Sequence, residues 1–181
     1  MKSNNKIIII FSGKQFSGKD TVAKILLEKF KSFKRIGIAD AIKMRYSEKT
    51  GLSLEEIEKN KPVYRQDLID LGDWGRAQSP DYWLNSILAY QGNTIVTDIR
   101  VNHELELFKS YGAFAVRVEA TEEARAKRGT LVSKNDNTET ALDDVKDWDY
   151  IIQNNGTYDE LVENTNKLIK ELQEKFGEKL W

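Results

Sequence analysis

Apolar and polar residues follow one another along this chain in two rhythms, and the rhythm switches at short intervals. Lys6 to Ser12 is an unbroken run of β-branched and aromatic residues, too short for a helix and closed by Gly13, which predicts a strand buried on both faces. From Asp20 to Phe33, Val22, Ala23, Leu26, Leu27 and Phe30 recur at helical spacing with lysines opposite, predicting a helix with one buried stripe. Further strands are expected at Arg35 to Ala39, Asn93 to Asp98, Ala113 to Glu119 and Tyr150 to Gln153. Helical spacing marks Ala41 to Thr50, Ser53 to Asn60, Arg65 to Trp74, Tyr82 to Tyr90, His103 to Ser110 and Thr121 to Arg128. It also marks Thr157 to Phe176, with Leu161, Leu168, Ile169 and Leu172 inward. Ser53-Leu-Glu-Glu56 has the pattern of a capping box. The polar stretch from Thr130 to Asp147 is expected to be a mobile surface segment. Five short strands alternating with helices predict an α/β fold with a doubly wound parallel sheet and a site beyond the carboxyl ends of its strands.

Composition narrows the chemistry. The 181 residues include 28 basic and 29 acidic ones, no Cys and one His, so structural zinc, thiol nucleophiles and disulfides are excluded, and Ser-His chemistry could rest only on His103. His103 itself reads as an ordinary exposed residue near the start of a surface helix. The longest apolar run, Ile7 to Phe11, is five residues, against the ~20 of a membrane helix. Met1 to Lys6 lacks the features of a secretory signal, so a cytoplasmic protein without a membrane span is expected. A formal net charge of -1 argues against a partner bound by bulk electrostatics, such as nucleic acid.

The strongest chemical signal is Gly13-Lys14-Gln15-Phe16-Ser17-Gly18-Lys19-Asp20-Thr21, which fits G-x-x-x-x-G-K with Asp20 where Ser or Thr usually stands. Between a buried strand and a helix, such a loop turns backbone N–H groups inward and adds the positive end of the helix, which suits a polyphosphate. Lys19 would reach the β- and γ-phosphates, and Asp20 or Thr21 would supply oxygen to magnesium or its water shell. Asp98 and Arg100 are expected at the same sheet edge, the first ordering magnesium-bound water and the second gripping an acceptor phosphate. Arg117, Arg125 and Arg128 precede Gly129 and the polar stretch; Arg125 and Arg128 share a helix face, as arginines of a closing lid would. Asp40, Lys43, Lys61, Arg65 and Arg76, among Tyr64, Trp74, Tyr82 and Trp83, lie in the interval where an acceptor would sit. Those aromatics suit packing better than stacking on a ligand.

Several segments in order resemble a known family: Phe11 to Asp20, Arg65-Gln-Asp-Leu-Ile-Asp-Leu-Gly72, Thr97-Asp-Ile-Arg100, Tyr111-Gly-Ala113 and Trp148 to Gly156. Together they are similar to the phosphate-acceptor kinases that include phage deoxynucleoside monophosphate kinases and animal-type phosphomevalonate kinases. The resemblance implies a three-layer αβα P-loop fold in a single domain, 1–181, with an acceptor-binding insertion at about 40–92 and a lid at about 121–147. It implies ATP and Mg2+, with Lys19 and Asp20 serving the phosphates and the metal and Gly13, Lys14, Ser17, Gly18 and Thr21 completing the loop. Arg65 and Arg100 would hold the acceptor's phosphate, Arg125 and Arg128 would belong to the lid, and adenine would lie near Asn154 to Gly156. A small-molecule phosphate acceptor and a monomer or homodimer are expected. Arg117 to Gly129 and Leu142-Asp143 are close to the phosphomevalonate kinase pattern. That branch, however, has Arg-Lys where this chain has Gln15-Phe16, and a second Arg where it has Val101. Losing that charge favours a (deoxy)nucleoside monophosphate, which can draw affinity from its base through Tyr64, Trp74 or Trp83. A P-loop NTPase that binds a protein or polynucleotide is the reading from a different class.

Overall fold

Five parallel strands form one sheet in the order β2-β3-β1-β4-β5, where β1 is Ile8–Ser12, β2 Phe33–Arg35, β3 Asn93–Val96, β4 Phe114–Glu119 and β5 Tyr150–Gln153. The computed structural model describes residues 6–131, 134–135 and 137–181. Positions 1–5, 132, 133 and 136, on which the expectation for Met1 to Lys6 and part of that for Thr130 to Asp147 fall, lie outside the described residues. The chain divides into two compact units, Met1–Arg35 with Gly92–Trp181, and Ile36–Gln91.

The first unit holds the sheet. Ile9 of β1 pairs with Ile95 of β3 and Phe114 of β4, and all five residues of β1 are buried, as a central parallel strand requires. Ile7, Ile9 and Phe11 join the buried faces of α1 (Lys19–Lys29) and α9 (Tyr158–Phe176) in one core. In α9 the expected Leu161, Leu168, Ile169 and Leu172 are buried, together with Thr165, whose hydroxyl donates to the Leu161 carbonyl at 2.7 Å. Between these, α6 (Asn102–Ser110) packs on β4 through buried Leu105 and Phe108, which lie outside that core. This is an α/β sheet flanked by helices, as expected.

Boundaries differ where local competition decides. The second strand is Phe33–Arg35, not Arg35 to Ala39, because extended Gly37 caps α2 (Ile38–Thr50) and the apolar Ile38 and Ala39 begin that helix. The first helix closes at Lys29, with buried Phe30 as its cap, and not at Phe33. The polar stretch is also not a loose surface segment where it is described. α7 (Glu122–Ala126) is followed by a single turn, α8 (Asn137–Thr140), and Glu139 and Leu142 are buried. Asn102 Nδ2 donates to the Ala141 carbonyl at 3.1 Å, and Lys109 Nζ to the Asp147 carbonyl at 2.7 Å. One buried apolar residue and one buried acid do not make a periodic pattern, which is why composition reads the stretch as solvated.

The second unit is helical: α2, α3 (Leu54–Lys59), α4 (Lys61–Gln78) and α5 (Tyr82–Ala89). Ser53 Oγ accepts from Glu56 N–H at 3.1 Å and caps α3. The helix expected from Arg65 to Trp74 runs from Lys61 to Gln78, with Pro62 in its first turn, where a missing N–H costs nothing. Trp83 is buried against Gly75, where a Cβ would come within 2.5 Å of the indole, and its Nε1 donates to the Gly72 carbonyl at 3.0 Å.

If the segment after α8 is docked, Leu142→Ala removes a buried side chain and destabilises the protein by roughly 2 to 4 kcal/mol in urea unfolding. A change below about 0.5 kcal/mol, the usual size for a surface position, would return the segment to solvent.

Candidate active site

The phosphate loop joins β1 to α1. Three successive carbonyls are each claimed by a different side-chain donor. Arg125 Nη1 donates to Gln15 O at 3.3 Å, Arg128 Nη1 to Phe16 O at 3.2 Å and Asn154 Nδ2 to Ser17 O at 2.8 Å. Arg128 Nη2 also donates to Asn154 O at 2.7 Å, tying α7 to the loop after β5. With those carbonyls turned away, the N–H groups of Phe16, Gly18 and the first turn of α1 have no partner among the described residues. They form an anion site with the helix's positive end behind it. Gly18 sits at φ 99° as the cap of α1, and a Cβ there would also overlap Asn154 Nδ2. Phe16 is in the left-handed region too, at φ 58°, and its ring lies over Gly129, where a Cβ would overlap it. The hydroxyl of Ser17 is buried with no hydrogen-bond partner among the described residues, beside the position a Gly13 Cβ would fill.

Lys19, the first residue of α1, places Nζ 3.1 Å from Asp20 Oδ2, and Arg35 Nη2 is 3.1 Å from Asp20 Oδ1. Arg35 Nε donates to Thr97 Oγ1 at 3.0 Å. Arg35 thus links the loop to the end of β3, a role that its place at a strand end does not announce in sequence. Thr21 is half-buried in the same turn. Asp98 lies two residues past β3, half-buried, and Ile99 N–H donates to Phe11 O at 3.4 Å, keeping this strand extension alongside β1. Among the described residues no three His, Cys, Asp or Glu cluster to cage a metal. A metal here would complete its shell with phosphate oxygens and water, as magnesium prefers.

Two further arginines stand at the strand ends. Arg100 N–H donates to Glu104 Oε2 at 2.8 Å, and its Nη1 donates to Glu139 Oε1 at 3.3 Å. Burial pushes the Glu104 carboxyl above the usual carboxylate range, against the lowering effect of the Arg100 and Val101 N–H groups it accepts from. Arg117, on β4, is buried; its Nη1 donates to Ser12 Oγ at 2.8 Å and its Nη2 pairs with Asp143 at 3.3 Å. Burial lowers its pKa while Asp143 opposes the shift, and an arginine keeps its charge regardless. Lys14 Nζ pairs with Asp143 Oδ2 at 2.6 Å. Arg125 is only 6% exposed, so it packs as a brace of the loop. Gly156 precedes α9, where a Cβ would overlap the Glu160 carboxylate that accepts from Thr157 N–H. Glu139 and Arg35 escape sequence reasoning, since each is polar, isolated and dependent on long-range partners, and Asp143 is marked only by its place in the resemblance, without a role.

In the helical unit, Lys43, Arg65 and Arg76, with Lys61, line a cavity of about 250 Å³ floored by Ala39, Ile42, Leu68 and Ile69. Lys43 pairs with Glu58 at 2.5 Å and Arg76 with Asp73 at 2.8 Å, and Lys61 lies 3.8 Å from Glu58. Arg65 has no ion pair or hydrogen bond among the described residues. Asp40 caps α2, accepting from Gly37 N–H at 2.9 Å, and sits 3.9 Å from Lys43. The aromatics considered for base stacking do not line this cavity: Trp83 is core, Trp74 packs edge-on to Tyr82, and Tyr64 lies against Tyr46.

Comparison with known proteins gives the family and the fold. The family model for phosphomevalonate kinase matches residues 11–114, and that for deoxynucleotide monophosphate kinase matches residues 66–165. Among solved structures, shikimate kinase from Aquifex aeolicus is similar at TM-score 0.51 and 16% identity, covering 93% of this chain and 98% of that one. Shikimate kinase from Acinetobacter baumannii in complex with shikimate is similar at TM-score 0.54 and 15% identity, covering 94% of each chain. The Mycobacterium tuberculosis APS kinase in complex with AMPPNP and APS is similar at TM-score 0.54 and 13% identity, covering 93% and 98%. At these identities the structures speak for the fold.

Asn154→Ala leaves the buried Ser17 carbonyl without its donor and is expected to cost roughly 1 to 3 kcal/mol of stability in thermal or urea unfolding. A neutral result would mean that the loop's carbonyls are satisfied without it.

Proposed function

The chain belongs to the phosphomevalonate kinase and deoxynucleotide monophosphate kinase group of P-loop kinases, and from that premise we propose that it moves the γ-phosphoryl group of ATP onto the phosphate of a (deoxy)nucleoside monophosphate. The observation that carries the choice of acceptor is the charge balance of the helical unit's cavity. Three of its four cations are matched by three acids, Lys43 and Lys61 by Asp40 and Glu58 and Arg76 by Asp73, which leaves Arg65 over an apolar floor. One guanidinium above aliphatic side chains suits one phosphate on a neutral, flat body. An acceptor bearing a second anionic group would need a second unmatched cation.

On this reading the N–H groups of the loop and Lys19 bind the donor's phosphates, and Lys19 stabilises the charge on the transferring group. Asp20, Thr21 and Asp98 would hold magnesium or its waters; the ion, when bound, neutralises charge between the β- and γ-phosphates. Arg100 orients the accepting phosphate, since two parallel N–H bonds fix direction as well as distance. Arg125 and Arg128 hold the loop's carbonyls and act on turnover through the shape of that loop, in place of the lid role that their spacing suggests. Phosphomevalonate is the second reading, favoured by the match of its family model over residues 11–114, which span the phosphate loop and the helical unit.

ADP formation should depend on an added acceptor, and a panel of nucleoside and deoxynucleoside monophosphates beside phosphomevalonate separates the two readings. Lys19→Ala should lower kcat at least ~10²-fold with the fold intact. Arg100→Lys should reduce kcat/KM for the acceptor by roughly 2 to 4 kcal/mol while the Kd for ATP stays within a few-fold. If ATP binding falls as far as acceptor use, Arg100 belongs to the donor site. ADP release that is indifferent to every acceptor would make the protein a hydrolase.

A further inference from the structure

The Glu139 side chain is 4% exposed, in a stretch of otherwise polar composition. An ionised carboxylate tolerates such burial only when its oxygens are hydrogen-bonded. Glu139 Oε2 accepts from Gln15 N–H at 3.0 Å, and Oε1 accepts from Arg100 Nη1 at 3.3 Å. Asp143, one helical turn on, joins Lys14 and Arg117 in the same way, at 2.6 and 3.3 Å. Two residues of the phosphate loop are therefore each tied to a strand-end arginine through one short segment.

A carboxylate on a phosphate loop could instead be a plug that occupies the anion site. The peptide orientation argues otherwise. Lys14 O accepts from Ser17 N–H at 3.0 Å within the loop, and in a trans peptide the N–H points opposite the carbonyl. Gln15 N–H is thus directed away from the turn, towards Glu139, and is not one of the open N–H groups at the α1 end. The segment is also anchored rather than poised to leave, through buried Leu142 and the Asn102–Ala141 hydrogen bond. Arg100, meanwhile, spends only Nη1 on Glu139. Its Nη2 and Nε donate to no described residue, so the rest of the fork stays open for a phosphate.

We propose that Glu139 is a positioning residue that sets the Arg100 guanidinium in register with the phosphate loop by hydrogen-bonding the Gln15 peptide and Arg100 at once. It touches neither phosphate. A long arginine side chain otherwise loses much rotamer freedom when it closes on a ligand, and Glu139 has already restricted it. This proposal rests on the reading of Arg100 as the acceptor's arginine.

The test is a double-mutant cycle of Glu139→Ala and Arg100→Ala, with Glu139→Gln as the milder variant should the alanine fail to fold. Binding of a fluorescent ATP analogue, the KM and kcat for the monophosphates of the panel and for phosphomevalonate, and the Gln15 amide resonance without any ligand are measured. Glu139→Ala should shift the Gln15 amide upfield, raise the acceptor's KM about tenfold, and leave the analogue's Kd within threefold. In the Arg100→Ala background the same change should alter the acceptor's KM less than twofold. Additive effects across the cycle would overturn the proposal while leaving Arg100 in its role. Tighter binding of the analogue with faster acceptor-independent ADP release would overturn it in favour of a plug. If Arg100→Ala itself leaves the acceptor's KM unchanged, the reading of Arg100 fails first and the positioning role falls with it.

Discussion

A loop can cradle phosphate with its backbone only if its carbonyls have somewhere else to go. Here they go to Arg125, Arg128 and Asn154, which take the carbonyls of Gln15, Phe16 and Ser17 in succession. The Ser17 carbonyl is the buried one of the three, and left bare it would cost roughly 1 to 3 kcal/mol, a sizeable share of the roughly 5 to 15 kcal/mol that keeps a domain folded. The neighbouring elements follow from that requirement. α7 presents Arg125 and the turn after it Arg128, the loop after β5 supplies an amide, and Gly18 and Gly129 leave room for Asn154 and the Phe16 ring. The open N–H groups at the start of α1 are what remains, and they are the surface on which we propose the donor's phosphates sit.

The same edge of the sheet concentrates positive charge, and positive charge needs acids to hold it in place before any anion arrives. Asp20 holds Lys19 and Arg35, Asp143 holds Lys14 and Arg117, and Glu139 holds Arg100. Acidic residues of this kind explain how a chain with a formal net charge of -1 can still present a site for polyphosphate. They also set geometry in advance, which is the larger part of what a phosphoryl-transfer enzyme contributes.

The central fold was legible because its signals are local. β1 is a β-branched run ended by glycine, α1 and α9 carry their apolar stripes at regular spacing, and the phosphate loop stands between strand and helix as its motif requires. Legibility failed where partners are remote. The apolar residues at 36–39 looked like a strand until Gly37 capped them into α2, and Glu139 and Leu142 were hidden in a stretch whose average is polar. Arg125 and Arg128 show their common face in sequence, but nothing local says that this face meets carbonyls more than a hundred residues away. Trp83 looks available for stacking in sequence and is core in the fold, because Gly75 and the Gly72 carbonyl receive it.

The central claim is that the group leaving ATP lands on a phosphate. Phosphorus-31 NMR of a reaction holding ATP, magnesium and an accepted monophosphate reads the bond formed. The account predicts that the acceptor's single resonance gives way to a pair of coupled doublets from a new diphosphate, in step with ADP. Inorganic phosphate in place of those doublets, or a new uncoupled phosphomonoester on a hydroxyl group, would contradict it.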